Sequence, residues 1–387
     1  MRWWSAPLEY VVAMSVFSIG RPEQDLPAET HDFRAILAKI SAGASERDAN
    51  PAFPEDPFER LAPTGALAMP VPDPTVSQGR RASFAEEWRM LRAVAGADGS
   101  VGRILDGHFN GVERVSLLAP EPLRSSELEA IAAGKLLLGV WGADPIPGEG
   151  EPAQLVQEVG GARLFGVKTF CSGATGVDRA LVLARGPTQG PSLLAYVDVS
   201  EGVRVDTEWY KASGMRASES HRVVFEGAPV LAVLGEPGEI VREPYFSRDA
   251  IRTAVTWAGI SDTAVDAALD VLAAKAGDGE PDDVVSLAAG RMVAARGTID
   301  SWLSYAAARA DEDPASLPGI STQLRESVAR TCREILDEAA RAVGSHPFAV
   351  SGPLDRARRD LELFLLQHRL EPALVRRGRQ AISERRP

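Results

Sequence analysis

The stretch GGARLFGVKTFCSGATGVDRALVLAR, from Gly160 to Arg185, contains two short apolar runs separated by a Ser-Gly-Ala-Thr-Gly turn. The runs Ala162 to Phe170 and Ala180 to Ala184 have the length and the apolar, β-branched content of strands. Nothing between them has the period of a helix. The stretch therefore predicts two consecutive β-strands and excludes a βαβ unit at this place.

Five further runs of the same kind surround these two, each bounded by turn-forming residues: Leu136 to Trp141, Leu155 to Val159, Leu193 to Val199, Val203 to Tyr210 and Val223 to Leu234. Seven short strands within about 100 residues, with no helical pattern among them, are typical of an antiparallel β domain rather than of a Rossmann fold.

Helical patterns lie on both sides of the strands. Before them, Thr30 caps a predicted helix over residues 29–44. Residues 45–82 form a predicted surface connection with a short helical turn at Pro57 to Leu61. Ser83 and Glu86 then make a capping box, and Ser100 opens a further helix. A last N-terminal helix is predicted over Ser125 to Ala133. After the strands, four long amphipathic helices are predicted over residues 248–276, 282–311, 317–343 and 352–380.

The predicted fold is therefore a multidomain α+β chain. An N-terminal all-α domain is followed by a middle antiparallel β domain and a C-terminal four-helix bundle. The predicted boundaries are an N-terminal extension over residues 1–28, the helical domain over 29–134, the β domain over 135–243 and the bundle over 244–387.

Net charge, cysteine spacing and apolar content limit the classes of function that are expected for the chain. The 387 residues carry a net charge of -12, which opposes broad binding to nucleic-acid phosphates. The two cysteines, Cys171 and Cys332, lie too far apart for a C-x-x-C metal motif, so neither a zinc site nor a disulfide framework is expected. The apolar N-terminal stretch is interrupted by Glu9 and is too short to span a bilayer. A cytoplasmic enzyme without a metal or a membrane anchor is the expectation.

The chain resembles the acyl-CoA dehydrogenase family. The resemblance rests on the Gly160 to Arg185 stretch and on WYKASGMRASESHRVVFEGAPV, from Trp209 to Val230. The turn GVWGADP and the segment PLDRARRDLELFLLQH resemble further conserved parts of that family. The resemblance implies the same three-part fold, an FAD cofactor and a homodimer or homotetramer.

The resemblance also implies a flavin site. Flavin chemistry needs donors that are already aimed at the isoalloxazine edge, where negative charge develops. By analogy with the family, Phe170 packs on the flavin ring and Ser172 supplies a hydroxyl near N5. The neighbouring Cys171, and Trp141 and Ala143 of the GVWGADP turn, complete the expected cofactor contacts. Gly214 is expected to provide a positive φ in the Gly-Met-Arg turn, and Arg216 to anchor that turn by an ion pair.

The family's catalytic base is missing. The resemblance places His368 where the family has a Glu, and Thr253 at the family's alternative position for that base. An imidazole is largely neutral at physiological pH and can accept a proton. The leading expectation is therefore an FAD-dependent dehydrogenation of the CH–CH group of an acyl thioester, with His368 as the base. His108, on an apolar helical stripe, is a second candidate, and a core histidine is the alternative for both.

Two other functions stay open. With a histidine at position 368, the chain resembles a subgroup of the same fold, the flavin monooxygenases similar to dibenzothiophene monooxygenase. If the chain is such an enzyme, His108, Ser172 and His368 would act together on reduced flavin and oxygen. That function would need an electron-transfer partner or a flavin reductase. The family's Q-x-x-G-G-x-G run for the adenosine end of FAD is not visible in residues 343–352, so FMN is possible. A chain without flavin or catalysis is the third alternative.

Overall fold

The computed structural model describes residues 30–73, 82–187, 190–367 and 370–385. The predicted extension over residues 1–28 lies outside them. Five α-helices precede the sheet: α1 (Thr30–Ala49), α2 (Glu55–Leu61), α3 (Phe84–Ala97), α4 (Gly99–Leu118) and α5 (Leu123–Ala132). The described part of the predicted surface connection after α1 thus contains a short helix, followed by two single turns of 3-10 helix.

The described residues form seven strands: β1 (Leu138–Trp141), β2 (Gln154–Glu158), β3 (Gly161–Cys171), β4 (Arg179–Ala184), β5 (Leu193–Asp198), β6 (Val203–Asp206) and β7 (His221–Val233). All seven predicted strands are therefore present. Their order is β1-β4-β5-β7-β3-β2, with β6 also paired to β7. The strand β1 runs parallel to β4, so the sheet is mixed rather than purely antiparallel.

The C-terminal helices are α6 (Tyr245–Ala276), α7 (Asp283–Glu312), α8 (Leu317–Val343), α9 (His346–Ala349), α10 (Pro353–Phe364) and α11 (Glu371–Ser383). The helix predicted over residues 352–380 is thus two helices. Pro372 is in the first turn of α11, where its missing N–H costs nothing. No helix in the described part of the chain combines the length and apolar content that a bilayer span requires.

The helix caps show how local sequence sets the elements. The predicted capping box is present, with the Ser83 hydroxyl and the Glu86 carboxylate each bound to the other residue's backbone N–H. The prediction that Ser100 opens the next helix is wrong by two residues. Asp98 caps α4 instead, because its carboxylate accepts hydrogen bonds from the backbone N–H groups of Ser100, at 2.9 Å, and Val101, at 3.3 Å.

A buried cluster of charges joins three helices. The Arg252 guanidinium of α6 is fully buried and donates to Glu87 of α3 at 2.7 Å. It also donates to Glu113 of α4 at 2.8 Å and to Asn110 at 3.1 Å. A buried charge of this kind is tolerated only when its donors are satisfied in one particular geometry. The cluster therefore fixes the relative positions of α3, α4 and α6.

The helices α3 and α6 also touch through their backbones. A Cβ atom added to Gly259 would overlap the carbonyl oxygen of Arg92, and one added to Gly96 would lie 3.2 Å from the Gly259 oxygen. The Arg92 side chain adds ion pairs to Asp262 at 2.7 Å and to Asp300 at 2.5 Å. Gly259 has a helical backbone that any residue can adopt, so glycine is not needed there for its conformation. It is required because the two helix backbones approach each other closely.

Gly259→Ala tests this contact. The added methyl group must separate the two helices, so we expect the free energy of unfolding to fall by about 1–3 kcal/mol, as for an overpacked core. The matched control is Gly290→Ala in α7, where an added Cβ meets nothing within 4 Å. That change should stabilise the protein by roughly 0.5–1 kcal/mol through helix propensity. Equal effects of the two changes in urea unfolding would contradict the backbone contact.

Candidate functional site at the end of strand β3

An exposed aromatic ring lies near the end of β3. Phe170 is 53% exposed and adopts a left-handed backbone with φ 52°. Its ring meets Trp209 edge-on, with the ring centroids 4.9 Å apart. The pairing of β3 with β7 shifts between Lys168 and Cys171, which breaks the regular alternation of side-chain faces along β3. Phe170 therefore faces outward, whereas Ser172 is nearly buried.

Ser172 belongs to a cluster of hydroxyl groups. Its Oγ lies 2.9 Å from Ser220 Oγ, which in turn lies 2.7 Å from Ser218 Oγ. The Trp141 indole N–H donates to the Ser172 carbonyl oxygen at 3.0 Å. Burial raises the pKa of the adjoining Tyr210 hydroxyl to about 12, although Ser218 opposes that shift. The cluster thus holds neutral hydroxyls that can pass or orient a proton.

The Gly-Met-Arg turn packs against α10. The predicted positive φ at Gly214 is not found; Met215 takes the left-handed conformation instead, with φ 53°. Gly214 is needed because an added Cβ would overlap the carbonyl oxygen of Arg359. Among the described residues Arg216 forms no ion pair, so its predicted anchoring role is wrong. It lines a surface cavity of about 330 Å³ together with Tyr210 and Lys211.

Glu219 lies between the Gly-Met-Arg turn and β7. It keeps the left-handed backbone, with φ 48°. Its carboxylate accepts hydrogen bonds from Thr175 at 2.8 Å and from His221 at 3.0 Å. Burial opposes ionisation, but these two hydrogen bonds outweigh it and lower the pKa of Glu219. The turn therefore retains a glycine-like conformation that side-chain contacts support.

The helices contribute a second group of polar residues. The buried Asp106 of α4 accepts hydrogen bonds from Arg103 at 2.8 Å and from Thr253 of α6 at 3.3 Å. Burial raises the pKa of Asp106, although Arg103 opposes that shift. The Arg103 guanidinium also lies 5.6 Å from the ring centroid of Phe364, at the end of α10. Thr253, at the alternative base position, therefore belongs to a polar group that the sequence did not predict.

His108 is enclosed in the core. It has no exposed surface, and its Nε2 lies 2.9 Å from the Leu67 carbonyl oxygen. Its Nδ1 accepts a hydrogen bond from the Leu138 N–H at 3.1 Å, so Nε2 carries the proton. Burial lowers the pKa of His108 to about 4. Both ring nitrogens thus form hydrogen bonds with backbone groups.

The other predicted site residues take different positions. Ala143 is exposed, and its carbonyl oxygen accepts a hydrogen bond from the Thr169 N–H at 3.0 Å. The Cys171 thiol is buried, and burial raises its pKa well above the usual value. Trp141 and Ser172 meet directly, as described above. His368 lies outside the described residues. No cluster of metal-ligating side chains occurs within the part of the chain that the structure covers.

Ser218, Ser220 and Asp106 are site residues that were not predicted from the sequence. The two serines lie one residue apart before β7 and join Ser172 only because β3 pairs with β7. Ser218 ends a 3-10 turn and Glu219 has a left-handed backbone, so the alternation of a strand does not apply to these serines and no local sequence signal identifies them. Asp106 lies two residues before His108, and its burial cannot be inferred from a helix that is buried along most of its length.

Comparisons with known proteins give curated relatives but no match to a protein-family model. Dibenzothiophene monooxygenase from Rhodococcus erythropolis is 28% identical over 223 residues, which cover 54% of this chain and 50% of that protein. The chain thus matches about half the length of these first curated relatives. L-evernosamine nitrososynthase from a Micromonospora species is 26% identical over 396 residues, covering 93% of this chain and 88% of that protein.

Solved structures establish the fold. The FMN-bound TdsC from Paenibacillus sp. A11-2 aligns with a TM-score of 0.80 at 20% identity, covering 92% of this chain and 98% of that one. The predicted acyl-CoA dehydrogenase-like fold, with N-terminal helices, a middle sheet and C-terminal helices, is confirmed.

The leading functional expectation is corrected by the same comparisons. Dehydrogenation of an acyl thioester is wrong as the interpretation of this chain, because the relatives found are monooxygenases and a nitrososynthase. The acyl-CoA dehydrogenase resemblance is a resemblance of fold. The alternative stated from the sequence, a monooxygenase, agrees better with these relatives.

The core position of His108 predicts a pH dependence of stability. Burial lowers the pKa of His108 to about 4 in the folded chain, from the value of 6.5 that applies to the unfolded chain. Between these values the unfolded chain binds more protons, so the free energy of unfolding falls as the pH falls through this window, by up to about 3 kcal/mol. His108→Gln can keep both hydrogen bonds without titrating. We therefore expect a flatter pH profile for the variant in urea unfolding; identical profiles would contradict a neutral core histidine.

Proposed function

We propose that the chain is a flavin-dependent monooxygenase that uses reduced flavin from a separate reductase and molecular oxygen. The observation that carries the proposal is the pairing of an exposed aromatic ring, Phe170, with the nearly buried hydroxyl of Ser172 at one strand end. The likeness to dibenzothiophene monooxygenase supports oxygenation as the reaction. The substrate we propose is a small organic molecule.

The residues present fit an isoalloxazine ring. That group is planar, apolar on its faces and polar along its edge, so it needs a flat surface beside hydrogen-bond donors. Phe170 offers an exposed ring held edge-on by Trp209, and Ser172 offers a hydroxyl two residues further along. Two further hydroxyls, of Ser218 and Ser220, can satisfy the Ser172 hydroxyl when it turns toward a ligand.

FMN is the flavin that we propose. Residues 343–352 lack the Q-x-x-G-G-x-G run with which the resembled family holds the adenosine end of FAD. The structural neighbour TdsC was solved with FMN bound. A mononucleotide needs no adenosine site, so the missing run does not count against it.

The chain's own residues would position and protect the reacting groups. When bound, reduced flavin supplies the two electrons that oxygen activation requires. Ser172 would donate a hydrogen bond toward the flavin edge, and the serine cluster would relay or hold its proton. The Trp141 N–H fixes the backbone carbonyl of Ser172. Phe364 and Trp257, whose rings lie 6.1 Å apart, would exclude water from the helical side.

The two histidines differ in what they can contribute. We propose a structural role for His108, because both ring nitrogens are bound to backbone groups. His368 stays a predicted catalytic residue on the strength of its place in the sequence. Homodimer or homotetramer formation also stays a prediction.

An assay of labelled oxygen incorporated into a product tests the function. The protein with FMN, NADH and a separate flavin reductase should incorporate label from ¹⁸O₂ into at least one of two organosulfur compounds, dibenzothiophene and an aromatic thioether that carries a carboxylate. Omitting the reductase or the protein should abolish labelling. Anaerobic bleaching of bound flavin by acyl-CoA esters, or failure of the protein to bind FMN or FAD, would contradict the proposal.

Ser172→Ala tests the role of the hydroxyl. Loss of one pre-aimed donor at a reacting centre costs about 10²-fold in turnover, so we expect a loss of that order in labelled product. The far-UV circular dichroism spectrum should not change, because the Trp141 contact is to the backbone. Ser126→Ala, an exposed serine on α5, is the matched control and should keep full activity. Full activity of Ser172→Ala would remove this residue from the mechanism.

A further inference from the structure

A buried arginine on α8 has no acidic partner among the residues that the structure describes. Arg325 is 8% exposed, and none of the residues that the structure describes accepts a hydrogen bond from its Nε or Nη2. Burial lowers its pKa to about 10, although Asp106 opposes that shift, so the side chain is still charged at neutral pH. Leaving a buried charge without hydrogen-bond partners is strongly unfavourable.

Among the described residues, the buried Arg92, Arg114 and Arg252 have acidic partners, and the buried Arg356 donates a hydrogen bond to the Ser45 hydroxyl at 3.0 Å. Arg252 reaches Glu87 and Glu113, and Arg92 reaches Asp262 and Asp300. Arg325 is thus the buried arginine of the described chain for which no hydrogen-bond acceptor is found. Buried polar atoms without partners are rare in native proteins and call for a specific explanation, such as a ligand.

A second donor without a partner lies next to it. The Arg325 guanidinium carbon is 5.5 Å from the ring centroid of Trp257, on α6. Trp257 is 1% exposed, and its indole Nε1 also lacks an acceptor among the described residues. Two adjacent side chains therefore present donors and no acceptor. Such a pair is complementary to an oxyanion, because a carboxylate or sulfinate offers two acceptor oxygens to a guanidinium.

This pair adjoins the candidate site. Trp257 follows Thr253 by one helical turn, so both side chains lie on the same face of α6. Thr253 contacts Asp106, and the Trp257 ring packs edge-on against Phe364. The donors therefore lie beside the group of residues that we assign to the helical side of the site.

We infer that Arg325 and Trp257 form a subsite for an anionic group of the substrate, either a carboxylate or a sulfinate. The inference rests on the proposed function, because it names the class of substrate for that same site. The oxyanion would accept hydrogen bonds from Arg325 and from the Trp257 N–H, and its charge would balance the buried guanidinium. Arg325 would thus determine specificity without taking part in the oxygen chemistry.

A binding experiment without flavin or oxygen tests the inference, so its failure is distinguishable from failure of the proposed function. Acetate and methanesulfinate are titrated into the full chain at constant ionic strength, with chloride as the reference and acetamide as the neutral isostere. We expect both anions to raise the Tm of the wild type, and acetamide to leave it unchanged. Equal effects of acetate, acetamide and chloride would overturn the subsite, since water alone would then satisfy the donors.

Variants assign the effect to these residues. Arg325→Gln should abolish the anion-dependent rise in Tm, and Trp257→Phe, which removes the N–H donor and keeps a smaller aromatic ring, should weaken binding roughly twofold to tenfold. Arg333→Gln, at an exposed position of the same helix, is the matched control and should bind as the wild type does. Wild-type binding by Arg325→Gln would contradict the inference.

The Tm of a third variant, measured without added anion, distinguishes a ligand-binding arginine from a structural one. Replacing an unpaired buried charge by an apolar side chain of similar length removes a desolvation cost, so Arg325→Met should have a Tm at or above that of the wild type. A purely structural arginine would behave in the opposite way. A marked fall in Tm for Arg325→Met would therefore overturn the assignment of Arg325 to a ligand.

Discussion

The hydrogen bonds of Arg252 connect the helices that form one side of the candidate site. Its guanidinium reaches α3 through Glu87 and α4 through Glu113, while α6 carries it. Removing one partner of a buried ion pair typically costs 3–5 kcal/mol, so the three helices have little freedom to slide. The positions of Asp106 on α4 and of Trp257 on α6 both follow from this arrangement. The shape of the helical side therefore depends on a charge cluster that itself has no place in the chemistry.

The sheet side of the site depends on backbone strain. Phe170, Met215 and Glu219 are the non-glycine residues with left-handed backbones in the described chain, and all three lie near the end of β3 or in the turn that contacts it. Each such residue costs about 1–3 kcal/mol and persists only where neighbours hold it. The Met215 N–H donates to Asp360 at 2.5 Å, which is one such support. Strain concentrated here agrees with a site whose shape is set before any ligand binds.

The sequence predicted the elements well because their signals are local. Short apolar, β-branched runs bounded by turn residues identified all seven strands, and the Ser83 capping box was correct in detail. Errors arose where two residues compete for one role. Asp98 and Ser100 are both good N-caps, and only the backbone geometry selects Asp98. Gly214 has two possible reasons to be glycine, and only the neighbouring Arg359 backbone shows that the reason is close approach.

The sequence determined less about the function than about the fold. The motifs around β3 belong to a fold shared by enzymes with different reactions, so they determined the architecture and an expected flavin site but not the reaction. The amino-acid sequence by itself determined the helices, the strands and the aromatic and hydroxyl residues at the end of β3. Only the tertiary structure decided that His108 points into the core, that Ser172 meets Ser220 and that Arg325 is buried with no acidic partner in the described part of the chain. Secondary structure follows from interactions within a few residues, whereas burial and pairing depend on side chains brought together from distant parts of the chain.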